Sequence, residues 1–66
     1  MIIVVFKLEN GEVSRDHWTG TIETDVLQCG ALRISKMIEV PGFLPVKKIA
    51  EIYADGEWLR VYDASI

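Results

Sequence analysis

Apolar and polar positions along the chain alternate in short runs separated by two-residue steps that end in glycine. The opening run is apolar on both faces of an extended strand: Ile2, Val4, Phe6 and Leu8 lie on one side, Ile3 and Val5 on the other. A strand of that kind needs cover on two sides. Asn10-Gly11, Asp55-Gly56 and Cys29-Gly30 each stand between apolar or β-branched runs and predict three hairpins. Type I′ turns suit the first two, because Asn and Asp tolerate the positive φ such turns require; Cys29 lacks that advantage. Counting outward pairs Leu8 with Val13, Phe6 with Arg15 and Val4 with His17 at the first turn, and Leu27 with Leu32 at the second. At the third it pairs Tyr53 with Trp58, Ile52 with Leu59, Glu51 with Arg60 and Ile49 with Tyr62.

Between the second and third hairpins, Glu39–Pro45 reads as a loop. Pro41-Gly42 favours a type II turn, and Pro41 with Pro45 excludes a central strand. The segment after it has two readings. Val46, Ile49, Ala50 and Tyr53 follow the i, i+3, i+4, i+7 spacing of an amphipathic helix, which makes the protein α+β with a short helix at 46–54. The same residues alternate as a strand, and that reading is preferred because β-branched residues lead into a matched Asp-Gly step. The expected architecture is therefore all-β, a small antiparallel barrel or roll of five or six strands forming a single domain over residues 1–66. In its element count the chain resembles an SH3-like barrel. It resembles the Sm-like fold less, lacking an opening helix and an internal Asp/Asn pattern. Neither likeness carries a function.

Composition narrows the setting. With 66 residues the chain sits near the lower limit for folding alone, and its one cysteine, Cys29, makes no internal disulfide. Such small cores are commonly completed by self-association. The apolar opening run is far shorter than the roughly 20 residues a membrane-spanning helix needs, and it shows no signal-peptide pattern. A cytoplasmic protein without membrane attachment is expected. A net charge of −3 gives no general attraction to polyanions.

Candidate chemistry is sparse. Ser14, Asp16, His17 and Cys29 supply the residue types of a nucleophilic site, but no glycine-framed nucleophile accompanies them. Adjacent on one strand, Asp16 and His17 point to opposite faces. Cys29 and His17 lack zinc-ligand spacing, and no glycine-rich phosphate loop is present. The expectation is a protein without catalysis, cofactor or metal.

Binding is better supported. Trp58, Arg60 and Tyr62 stand at i, i+2, i+4, and the third hairpin joins Tyr53 to them; Trp, Tyr and Arg are the residues enriched at binding hot spots. Leu59, Val61, Ala50 and Ile52 point the other way and are expected to fill the core. Phe43 and Leu44 in the loop either fold back over the aromatic row or form its rim. The expected function is protein–protein interaction, with a second copy of the chain as the simplest partner. The alternative is a single-stranded nucleic-acid or nucleotide binder that uses the same row with Lys36, Lys47 and Lys48; against it stands Glu51, placed opposite Arg60.

Overall fold

The computed structural model describes residues 1–64 and contains six strands and no helix. They are β1 (Ile2–Lys7), β2 (Val13–Trp18), β3 (Ile22–Val26), β4 (Leu32–Ile38), β5 (Val46–Tyr53) and β6 (Trp58–Asp63). All pairings are antiparallel and form two three-stranded sheets, ordered β2-β1-β6 and β3-β4-β5. The all-β expectation holds, and 46–53 is strand. The sheets do not close into a barrel; each keeps two free edges.

The central strands are the two most apolar ones. β1 carries Val4 and β4 carries Leu32 and Ile34, all fully buried, and with Tyr53 they make the core cluster. Ile2, Phe6, Trp18, Ile22, Trp58 and Val61 pack around it from both sheets. A strand buried on both faces gains most from neighbours on both sides, so β1 takes β2 on one edge and β6 on the other.

The turns correct the counted registers. At the first, Gly11 N–H donates to Leu8 O (2.9 Å) and Leu8 N–H to Glu12 O (2.8 Å), so three residues, not two, form the loop. Among the described residues only glycines take positive φ, with Gly11 at +86°. Asn10 thus cannot be in a type I′ turn; its carboxamide oxygen instead accepts from Glu12 N–H at 2.9 Å. The result is a type I turn closed by a left-handed glycine. Leu27–Ala31 repeats the pattern, with Gly30 N–H on Leu27 O at 2.9 Å and Leu27 N–H on Ala31 O at 2.8 Å. Each register therefore shifts by one residue: Val5 faces Arg15, Ile3 faces His17, and Val26 faces Leu32.

The third step is not a hairpin at all. Glu57 N–H bonds Ala54 O at 3.0 Å, as in a tight turn, but Lys7 N–H then captures Glu57 O at 2.8 Å and draws the chain onto β1. β5 stays with β4, β6 joins β1, and none of the counted pairs between them forms. Asp55-Gly56 is a corner between sheets.

With β2-β1-β6 as sheet one and β3-β4-β5 as sheet two, the molecule is elongated. The radius of gyration is 13.2 Å and the extents are 45 × 28 × 18 Å, against about 11 Å for a compact chain of this length. The inter-sheet core sits where Leu32, Ile34 and Tyr53 meet β1, whereas Ile38, Val40, Phe43, Leu44, Val46 and Ile49 are exposed.

Candidate functional site

A bulge divides the aromatic row. Phe6 faces Trp58 and Val5 faces Arg60, so Leu59 is an extra residue on β6. Trp58 is thereby turned to the inner side with Val61, where it packs on the core and its indole N–H donates to Gly30 O at 2.9 Å. Arg60 and Tyr62 remain on the outer side with Val5 and Ile3. The guanidinium lies 4.5 Å from the centroid of the half-buried Tyr62 ring, in cation–π geometry. The expected Trp58–Arg60–Tyr62 face therefore does not exist as one surface. Nor is Glu51 opposite Arg60; it faces Ile34 in the other sheet.

Tyr53, assigned by sequence to that face, is only 6% exposed and joins the sheets. Its hydroxyl donates to Asp16 Oδ2 at 2.6 Å and accepts from Trp18 Nε1 at 3.2 Å, and its ring meets Phe6 at 5.5 Å between centroids. Burial foremost, then the hydrogen bond to the Asp16 carboxylate, push the phenol well above its ordinary value of 10.0. Beside it opens a cleft lined by Phe6, Leu8, Asp16, Glu51, Ile52 and Glu57, among others. Asp16 and Trp18 share a face of β2 by alternation, a pattern legible in sequence; that Tyr53 would meet them was not.

The residues considered for catalysis are separated. Asp16 points inward to Tyr53, His17 lies on the outer side opposite Ile3, and Cys29 is exposed in the β3–β4 turn. Ser14 is on the inner side opposite Phe6. Among the described residues no cluster of three or more His, Cys, Asp or Glu is placed to hold a metal ion. No helix among them is long and apolar enough to cross a membrane.

The expected core fillers of the third hairpin are outside as well. Leu59, Ala50 and Ile52 are exposed, and only Val61 is half-buried. Phe43 and Leu44, 78% and 86% exposed, do not fold back over anything. They continue into β5, where every residue before Tyr53 is exposed, including Val46, Ile49 and Ile52. This is the largest run of uncovered apolar side chains in the described chain, and it lies along a free strand edge.

Charge divides by sheet. The outer side of sheet two holds Glu23 and Asp25 against Lys47 and Arg33, with contacts of 2.6 Å for Lys47–Glu23 and 3.1 Å for Arg33–Asp25. The outer side of sheet one has Lys7, Arg15 and Arg60 and no carboxylate at its strand positions.

The chain matches no family model, no curated protein and no solved structure.

Proposed function

We propose that the protein is a small non-catalytic interaction module that works by associating with a second copy of itself through the β4–β5 arm. The observation that carries this reading is the exposure of Phe43 and Leu44, 78% and 86%, at the head of a β5 edge strand whose Val46, on one side, and Ile49 and Ile52, on the other, are exposed as well. Soluble monomers seldom leave so many large apolar side chains of one loop and strand uncovered, and such concentrations mark association sites. The single exposed cysteine suits a reducing, cytoplasmic setting. Sedimentation velocity tests the proposal: the wild type is expected to associate with rising concentration, and Phe43→Ser with Leu44→Ser to remain monomeric with an unchanged circular dichroism spectrum. A wild type that stays monomeric throughout would refute it.

A second reading rests on the outer side of sheet one, where Arg15 and Arg60 flank Val5 and Arg60 stacks on Tyr62. That face, rather than Lys36, Lys47 and Lys48, is where a single-stranded nucleic acid would lay its phosphates and one base. Its signature is oligonucleotide binding that weakens steeply with salt and is lost in Arg15→Gln with Arg60→Gln. Unchanged binding in that double variant would remove it.

A further inference from the structure

We propose that two copies join edge to edge along β5, antiparallel about a two-fold axis between Ile49 and Ala50, giving one continuous six-stranded sheet. The inference rests on the self-association reading and specifies its register.

Three observations fix it. The first is the bulge at Ala50, where Ile34 faces Glu51 but Ser35 faces Ile49. It puts Val46, Lys48, Glu51 and Tyr53 on the inner side of β5, and Lys47, Ile49 and Ile52 on the outer side. Lys47 confirms the assignment, since it bonds Glu23 on the outer side at 2.6 Å. Antiparallel partners must lie on the same side. Pairing β5 with itself about Ile49/Ala50 satisfies this: Val46 faces Tyr53, Lys47 faces Ile52 and Lys48 faces Glu51. Centring the pair on Ile49 instead sets Lys47 against Glu51 from opposite sides of the sheet.

The second observation is charge. Lys48 lies directly opposite Lys36 of β4, an unfavourable like-charge pair. Neither lysine nor Glu51 has an ion-pair partner among the described residues. The two-fold supplies one twice over, setting Lys48 of each copy against Glu51 of the other. The third observation is the free edge itself. Ile52 N–H has no strand to bond and is capped by Glu51 Oε1 at 2.9 Å. A neighbouring strand would take that donor and release the carboxylate for Lys48.

The same count carries Leu44 and Phe43 of one copy to the level of Asp55 and Gly56 of the other. There the cleft lined by Phe6, Leu8, Ile52 and Tyr53 opens. The exposed loop and the cleft thus meet across the axis, each covering what the other leaves bare.

Charge exchange is the test, read by sedimentation equilibrium with circular dichroism to show that each variant is folded. Lys48→Glu sets Glu against Glu at both pairs and Glu51→Lys sets Lys against Lys, so each alone should weaken dimerisation about tenfold or more. Mixing the two variants restores opposite charges at both pairs, and a heterodimer close to wild-type affinity is expected. A wild-type dimer that neither variant weakens, or a mixture that stays monomeric, overturns this register while leaving self-association standing. A wild type that never dimerises removes the self-association reading itself.

Discussion

β4 and β5 are paired along their whole length, yet their two ends have different fates. At one end Leu32, Ile34 and Tyr53 are covered by β1 and β2, and the Tyr53 hydroxyl ties Asp16 to Trp18 across the sheets. At the other end Ile38 and Val46 lie on the same inner side and are just as apolar, yet they are exposed. Hydrophobicity does not separate the ends; cover does. Sheet one has six-residue strands, too short to roof an eight-residue β5 and the loop before it. The covered end therefore carries stability, and the uncovered end is the one the proposed association would use.

Truncation at each end breaks the comparison most directly. Leu32→Ala removes a fully buried side chain from a core cluster of four and is expected to cost about 2–5 kcal/mol. A domain this small holds little more than that in reserve, so the urea transition should shift to very low denaturant or vanish. Ile49→Ala removes a comparable side chain that is 59% exposed, and the unassociated chain should change by about 0.5 kcal/mol or less. Equal losses at the two positions would mean that the arm is folded into the core in solution.

The same contrast shows what could be read from residues alone. Strand positions were legible because Ile2–Leu8, Leu32–Ile38 and Val46–Tyr53 are β-rich and glycine steps punctuate them. The turns were placed correctly but paired one residue out, since Asn-Gly serves a type I turn with a left-handed glycine as well as a type I′ turn. Partner choice was the larger loss. Asp55-Gly56 makes a local turn of its own, closed by Glu57 N–H on Ala54 O, and nothing within a few residues of it reveals that β1 competes for Trp58–Asp63 and wins. With that pairing went the expected aromatic face: one bulge at Leu59 moved Trp58 inside, and Tyr53 became the inter-sheet tie. Phe43 and Leu44 survive as binding candidates because a proline-bounded loop exposes them whichever strands pair.

Tyr53 sharpens the comparison with a smaller and more specific effect. Tyr53→Phe keeps the ring against Phe6 but deletes the donor to Asp16 and the acceptor for Trp18. Leaving partly buried polar groups unpaired should cost the unassociated chain about 1–3 kcal/mol. The phenol also makes stability depend on pH in a predictable direction. In the unfolded chain Tyr53 loses its proton near the ordinary value of 10.0, whereas in the folded chain burial and the Asp16 carboxylate hold the proton to higher pH. Above that ordinary value the folded state binds more protons than the unfolded one, so stability falls as pH rises. The contribution is whole below the unfolded value and is lost as pH climbs through the raised folded value. Urea midpoints measured through this alkaline range should therefore decline more steeply for the wild type than for Tyr53→Phe, the two curves converging as pH rises. Parallel curves would mean that the hydroxyl is solvated in both states, and that apolar packing alone joins the sheets at the covered end.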